Sequence, residues 1–272
     1  MPLDNGVRAR TVTATLNYLL PSAEKPARYV DDPPAGKPKW NGVDDQRAVA
    51  IEDGRAHADD FTLDRNGFAL RQAPSAVADF SDEQRVREIY YAEAERLVRL
   101  ELGAARVVVF DHTIRGPNSA REPVLRVHND YTVGSAPQRV RDLLPDEADA
   151  LLSRRFAIVN VWRPIARPVL ASPLALCDAT SFTDADLIAT DLVYRDRRGE
   201  TSSVRFNPSH RWVYFSQMRP DEVLLIKCHD SATDGRARLS FHTAFADPTT
   251  PPDAPPRQSI ELRTLVFFDA PA

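Results

Sequence analysis

The residues best suited to chemistry are a histidine and an aspartate that stand one residue apart, His128 and Asp130. The segment 124–131 that contains them has the composition of a strand, and a strand places every second side chain on the same face. An imidazole beside a carboxylate supplies two ligands of the facial triad that holds non-heme iron(II) and leaves three coordination positions open. The spacing therefore predicts two ligands of an iron site, and the third must come from a distant strand.

Two histidines in later segments are candidates for that third ligand. His242 lies within the β-type segment 238–245, and His229 directly follows the β-type segment 222–228. His242 is favoured because a carboxylate-binding sequence follows it at a suitable distance, and His229 stays open as the alternative. The other histidines are predicted to be surface or hydrogen-bonded core residues: His57, His112 and His210.

The carboxylate-binding sequence is Arg257-Gln258-Ser259, which follows a proline-rich loop at residues 248–256. A guanidinium pairs with a carboxylate through two parallel hydrogen bonds, and a serine two residues further along the same face adds a third. This arrangement predicts a site for the distal carboxylate of 2-oxoglutarate. Arg263, on the same predicted strand, is the alternative anchor.

A β-rich fold must position these side chains. After residue 105, short runs rich in Val, Ile, Phe and Tyr are separated by Pro, Gly, Asp and Ser, which predicts strands. Because helices do not alternate with them, the pattern favours a double-stranded β-helix, the cupin-like jelly roll, with flanking helices. The predicted strands cover residues 106–110, 124–131, 156–162, 187–194, 211–215, 222–228, 238–245 and 259–268.

The residues before this core carry weaker patterns. Residues 11–20 suit an edge strand, and residues 21–40 are too rich in proline for regular structure. The pair Asn66-Gly67 between short apolar segments predicts a hairpin within residues 61–70.

Two helices are predicted to flank the strands. A capping box at Ser81 and apolar residues at helical spacing predict a helix that ends at Gly103. A second, broken helix is predicted from Ser135 to Arg154.

Length and charge limit the possible functions. We expect a single domain over residues 1–272, with strands, a proline-rich loop and a packing helix to residue 105 and the jelly-roll core at 106–268. A net charge of -4 without a basic run argues against nucleic acid as a partner. The absence of a long apolar run and of a secretion signal predicts a cytoplasmic protein without a membrane partner. The two cysteines, Cys177 and Cys228, are expected to be small buried residues.

The order and spacing of short motifs along most of the chain resemble the CmcJ/AsaB-like oxygenases, a family with a component of cephamycin 7α-hydroxylation and fungal hydroxylase/desaturases. No single motif carries the resemblance. The motifs are Asn66-Gly-Phe68, Phe110-Asp-His-Thr-Ile-Arg115, Val127-His-Asn-Asp-Tyr-Thr132, Asn160-Val-Trp-Arg-Pro164, Pro173-Leu-Ala-Leu-Cys-Asp178, Asp221-Glu-Val-Leu-Leu-Ile-Lys227, Asp230-Ser231, His242-Thr-Ala-Phe245 and Pro256-Arg-Gln-Ser-Ile-Glu-Leu-Arg263.

The resemblance implies a double-stranded β-helix that uses Fe(II), 2-oxoglutarate and O2 to hydroxylate or desaturate a small molecule of secondary metabolism. It places iron on His128, Asp130 and His242, and the cosubstrate carboxylate on Arg257 with Ser259. It also covers Asn160, Trp162 and Arg163 without indicating their roles; Trp162 is expected in the core, and Arg163 either lines the pocket or pairs with a buried acid.

Two other functions are compatible with the residues alone. A metal-dependent oxidase or isomerase of the same fold would use the three ligands without 2-oxoglutarate. A non-catalytic jelly roll would bind a small molecule with structural histidines. The sequence leaves the substrate and the oligomeric state open.

Overall fold

The computed structural model describes residues 10–117, 119 and 121–271. Within them the strands are β1 (Thr11–Leu19), β2 (Ala27–Tyr29), β3 (Asp44–Asp53), β4 (Phe68–Gln72), β5 (Arg106–Arg115), β6 (His128–Asn129), β7 (Arg154–Pro164), β8 (Leu174–Cys177), β9 (Leu187–Val193), β10 (Arg198–Val204), β11 (Trp212–Tyr214), β12 (Glu222–Asp230), β13 (His242–Ala244) and β14 (Ser259–Pro271). The helices are α1 (Glu83–Arg85), α2 (Tyr91–Leu102), α3 (Ser135–Leu143) and α4 (Ala148–Leu152), with a π-helical turn at Val86–Tyr90 and short 3-10 turns at Gly54–Asp60, Ala179–Ser181 and Asp184–Asp186.

The strands form two sheets. The larger has the order β1-β3-β11-β8-β13-β6-β10-β9-β2, and the smaller has the order β4-β12-β7-β14-β5. Apolar side chains of both sheets meet in one cluster, in which Phe68, Trp162 and Ile226 of the smaller sheet pack with Leu176 and Val213 of the larger. The predicted jelly roll with flanking helices is confirmed.

The predicted first helix is confirmed, with a π-helical turn between α1 and α2. It begins after Asp82, whose carboxylate accepts a hydrogen bond from the backbone N–H of Arg85, so the N-cap lies one residue beyond Ser81. It ends at Gly103, which adopts φ 61°. Its apolar face packs on the outer face of the smaller sheet through Val86, Tyr90, Ala94 and Val98. The predicted broken helix is also confirmed, as α3 and α4.

Three local predictions were wrong. Asn66-Gly67 forms a turn but no hairpin, because β4 after it pairs with β12 far along the chain, from Phe68↔Ile226 onward. The proline-rich stretch contains β2, which lies parallel to β9. The segment 124–131 is mostly irregular, since only β6 within it is a strand.

Strand β14 lies between β7 and the edge strand β5 in the smaller sheet. Its alternate residues Ile260, Leu262 and Val266 face the helical layer, so Ser259, Glu261 and Arg263 face the other way, toward the larger sheet. The register with β5 shifts between Arg263 and Thr264, where one extra residue of β5 forms a β-bulge at Phe110.

Within the described residues, the helices are all too short and too polar to cross a membrane. The predicted absence of a secretion signal concerns in part residues 1–9, which lie outside the described residues.

Candidate active site

Three predicted ligands come together at the centre of the larger sheet. His128 on β6 and His242 on β13 are direct partners across the antiparallel pair, and their ring centroids lie 4.4 Å apart. Asp130 follows two residues after His128, with 3.5 Å between its Oδ1 and the His128 Nε2. One ligand atom from each residue lies within 4.8 Å of the other two, a group that a single metal ion can bridge.

The protonation of these groups suits a divalent metal. The pKa of His242 falls to about 4, first because the ring is buried and then because His128 lies beside it, so the ring is neutral near pH 7. Burial raises the pKa of Asp130, but Arg263 and His128 outweigh it and hold that pKa well below its usual range. Two imidazoles and one carboxylate are the donor set that iron(II) takes in a facial triad.

Hydrogen bonds orient two of the three ligands. The His128 Nδ1 lies 2.8 Å from the carbonyl oxygen of Arg126, so donation through Nδ1 leaves the lone pair on Nε2 for a metal. The Asp130 Oδ2 accepts hydrogen bonds from the Asn160 amide at 2.9 Å and from the Arg263 Nε at 3.1 Å. Its Oδ1 therefore remains directed at the site.

The alternative cosubstrate anchor, Arg263, is fully engaged elsewhere. Besides Asp130, its guanidinium donates to the Thr113 hydroxyl at 3.1 Å and to the Glu261 carboxylate at 3.2 Å. Asn160 also donates to Glu261, at 3.2 Å. Arg263 thus links the smaller sheet to the carboxylate of the predicted ligand Asp130.

A small chamber lies against the histidine pair. It is lined by His128, His242, Trp162, Glu261 and two arginines, Arg115 and Arg257. Arg115 was not predicted from the sequence as a site residue. In the structure its strand partner is Ser259, which stands two residues after the predicted anchor Arg257.

Arg257 is the most buried cation of this chamber. Its Nη1 donates to the Ser172 carbonyl at 2.6 Å, whereas its Nε and the neighbouring Ser259 Oγ are buried without a hydrogen-bond partner in the described part of the chain. Burial, followed by the like charge of Arg115, lowers the pKa of Arg257 to about 10. Unsatisfied donors and two guanidinium groups in one chamber fit a carboxylate-bearing ligand.

A much larger cavity of about 790 Å³ opens on the other side of the site. His128 lines both the small chamber and the large cavity. Asp130 and Arg263 line the large cavity but not the small chamber. A metal held by the three ligands would therefore lie between the small chamber and the large cavity, which is of the size that drug-sized ligands occupy.

The competing histidine, His229, lies apart from this group. Its ring packs on Phe156, with centroids 4.9 Å apart, and it is not among the three residues that converge on one point. Burial, and then the charge of Arg238, lowers its pKa to about 4.

Because a buried neutral histidine must be protonated as the chain unfolds in acid, His229 costs stability as the pH falls from about 6.5 toward 4. We expect His229→Phe to remove this cost. Relative to wild type, the free energy of unfolding of the variant should rise by about 2 kcal/mol between pH 7 and pH 4.5, as measured by urea titration. An unchanged difference across that range would contradict the burial-lowered pKa.

The remaining predicted residues have structural partners. Trp162 is buried in the core as predicted. Arg163 does not reach the site; it donates to the Ala73 carbonyl and stacks on the Tyr90 ring in the helical layer. The other histidines have polar partners: His57 contacts Glu52, His112 contacts Tyr91 and Glu83, and His210 contacts Asp186. Both cysteines, Cys177 and Cys228, are buried and free, as predicted.

Comparisons with known proteins identify relatives of this chain. The model of the family described as Oxidoreductase/YMDC permease-like domain matches residues 16–267. The hydroxylase/desaturase efuI of Hormonema carpetanum is 32% identical over 294 aligned positions, which cover 97% of each chain. The Fe(II)/2-oxoglutarate-dependent dioxygenase nvfI of Aspergillus novofumigatus is 35% identical over 230 positions, covering 80% of this chain and 82% of the relative.

A solved structure extends the likeness to the fold. The iron and alpha-ketoglutarate-dependent endoperoxidase NvfI superposes with a TM-score of 0.86 at 31% identity, and the match covers 95% of this chain and 98% of that one.

Proposed function

This chain belongs to that oxidoreductase family, together with the fungal Fe(II)/2-oxoglutarate-dependent dioxygenases and hydroxylase/desaturases, and we propose that it binds its iron through His128, Asp130 and His242. The resemblance found in the sequence is confirmed, and the activity is Fe(II)/2-oxoglutarate-dependent oxidation with O2. The convergence of three ligand atoms within 4.8 Å is the observation that carries the ligand assignment.

The proposal assigns the small chamber to 2-oxoglutarate. Arg257 and Ser259 bind the distal carboxylate, which satisfies the Arg257 Nε and the Ser259 Oγ. Arg115 supplies a second positive charge in the same chamber. The indole of Trp162 lies 5.3 Å below the Arg257 guanidinium and holds it in place from one side.

When bound, iron(II) would activate O2, the oxidant, for attack on a substrate C–H bond, with two electrons supplied by oxidative decarboxylation of 2-oxoglutarate. The chain's own residues fix where that happens. Asn160 and Arg263 hold the Asp130 carboxylate, and the Arg126 carbonyl fixes the tautomer of His128. Both sets of contacts hold the ligands in the geometry that an open metal site needs.

The large cavity is assigned to the small-molecule substrate, which our proposal places in secondary metabolism. The position in which the cavity holds the substrate's C–H bonds relative to the metal decides between hydroxylation and desaturation. Residues 1–272 act as a single oxygenase domain in this proposal, with strands, a proline-rich loop and a packing helix to residue 105 and the jelly-roll core at 106–268. The cytoplasmic location and the absence of nucleic-acid and membrane partners stay predictions.

Arg257→Lys tests the cosubstrate assignment. An ammonium group cannot reproduce the parallel hydrogen bonds of a guanidinium, and a bond to an ionised group is worth about 1.5–3 kcal/mol. We expect the Kd for 2-oxoglutarate to rise about tenfold to a hundredfold, measured by anaerobic absorption titration of the iron-loaded protein, with iron affinity nearly unchanged.

Ser259→Ala removes one neutral donor and should weaken 2-oxoglutarate by only about 1 kcal/mol. Arg263→Lys tests the alternative anchor. The guanidinium of Arg263 already binds Asp130, Thr113 and Glu261, which argues against that role. The anchor would move to Arg263 if Arg257→Lys bound 2-oxoglutarate like wild type while Arg263→Lys lost it with its iron retained.

A further inference from the structure

The wall of the large cavity is rich in arginine. Seven arginines line it against five carboxylate side chains, although the whole chain carries a net charge of -4. A cleft of one sign attracts ligands of the opposite sign and raises their local concentration. The cavity therefore has the charge of a binding site for an anion.

Three of these arginines are neutralised within the protein. Arg126 makes a bidentate pair with Asp44, Arg198 lies 3.6 Å from Asp191, and Arg263 binds Asp130. In the part of the chain that the structure describes, the other four lack a carboxylate within 4.0 Å: Arg28, Arg121, Arg139 and Arg197.

Arg139 is the half-buried member of these four. It lies on α3, and its guanidinium faces the Phe110 ring at 5.9 Å. Tyr131 and the proposed ligand Asp130 line the same cavity. Arg139 thus stands on the cavity wall near the proposed metal ligands.

A second unpaired cation lies on the same side. The Arg121 Nη1 donates to the Thr113 hydroxyl at 3.3 Å, and the same oxygen accepts from Arg263 at 3.1 Å. Because Arg263 is already bound to Asp130, this contact brings an uncompensated guanidinium to the edge of the site. A guanidinium held without a counter-charge is available for a planar oxyanion.

Aromatic rings accompany the arginines. Phe110, Tyr131 and Tyr194 line the cavity, and Arg197 stacks on Tyr194 at 3.9 Å. Such rings bury the apolar body of a ligand, while the guanidinium groups bind its charged end.

We propose that the substrate is an oxyanion with a flat apolar body, and that Arg139, assisted by Arg121, binds its anionic group and so orients the body over the site. This inference rests on the proposed function, since it assigns the substrate of the same centre. Carboxylate and phosphate share the required chemistry, and the experiment below distinguishes them.

Two fluorescent probes with the same skeleton test the proposal. 1-Anilinonaphthalene-8-sulfonate carries an oxyanion, and N-phenyl-1-naphthylamine is its uncharged parent. On the full chain, with and without Fe(II) and 2-oxoglutarate under anaerobic conditions, the sulfonate should bind at least about tenfold more tightly than the parent. Arg139→Gln should remove about tenfold of that preference, and Arg139→Lys should restore part of it.

The matched control is Arg167→Gln, which changes an exposed arginine outside the cavity and should leave the preference intact. Displacement of the sulfonate by 1-naphthoate or by 1-naphthyl phosphate identifies the oxyanion. Equal binding of the two probes, displacement by neither competitor, or a preference that survives in Arg139→Gln would overturn the proposal. If Arg139→Gln does not fold, Arg121→Gln takes the same test.

Iron content, measured separately on the wild-type protein, distinguishes the two failures. A chain that takes up no iron but keeps the Arg139-dependent preference would refute the metal assignment alone. A chain that takes up iron and 2-oxoglutarate without any such preference would refute the oxyanion alone.

Discussion

His128→Ala, Asp130→Ala and His242→Ala should each lose stoichiometric iron while the protein stays folded. Each removes one of three ligands that converge within 4.8 Å, and an iron site with two protein ligands holds its metal far less tightly. We expect at least a hundredfold loss of iron affinity, measured by metal analysis after anaerobic reconstitution. Far-ultraviolet circular dichroism checks the fold.

His229→Phe is the matched control, since it changes a buried histidine outside the group and should retain iron. Asp130→Glu moves the carboxylate by one methylene and away from its bonds to Asn160 and Arg263, so it should cost more activity than iron affinity. Iron retention by His242→Ala together with its loss in His229→Phe would move the third ligand to His229.

Asp230→Ala should destabilise the protein by about 3–5 kcal/mol, because it removes the buried carboxylate that Lys227 and Arg155 share and leaves them only the exposed Asp64. Asp230 and Lys227 are fully buried and lie 2.9 Å apart, and Arg155 binds the same carboxylate at 2.7 Å. Burial raises the pKa of Asp230, but Arg155 and Lys227 lower it below its ordinary value. Its stabilising contribution is therefore present above the unfolded carboxyl pKa and is lost as the pH falls through the folded one.

Urea titration at pH 7 measures this loss. Asp234→Ala is the control, because its carboxylate is half exposed and pairs with Arg236 at the surface, where an ion pair is worth about 1 kcal/mol or less. Similar losses in the two variants would show that the buried pair contributes no more than a surface one.

Much of the fold was predictable because it depends on local patterns. The apolar spacing that ends at Gly103 indicated the helix, and β-type composition located long core strands such as β7, β12 and β14. Other strands were missed because their pairing, not their composition, makes them strands. β3 (Asp44–Asp53) carries mostly charged and small residues, yet it pairs with β1 from Asp44 to Glu52. Asn66-Gly67 favoured a hairpin, but β12 offered β4 a longer, fully buried partner.

The candidate site likewise contains residues that were predictable from the sequence and contacts that were not. His128 and Asp130 were found because they are neighbours in sequence, and Arg257 and Ser259 because their spacing matches one face of a strand. The contacts that orient Asp130 were not predictable from spacing. Asn160 and Arg263 lie opposite each other only through the register of β7 and β14, which depends on the packing of the whole sheet.

The β-bulge at Phe110 has a consequence for chain length. Before it, even-numbered residues such as Val108 face the site side of the sheet, and after it odd-numbered residues such as Thr113 and Arg115 do so. The extra residue thus changes the parity of β5, and Phe110 and Asp111 both line the cavity. Deleting one residue here would turn Thr113 and Arg115 into the helical layer without altering any of the three proposed iron ligands. Such a deletion would therefore remove the Arg115 guanidinium from the small chamber while the three proposed iron ligands stayed in place.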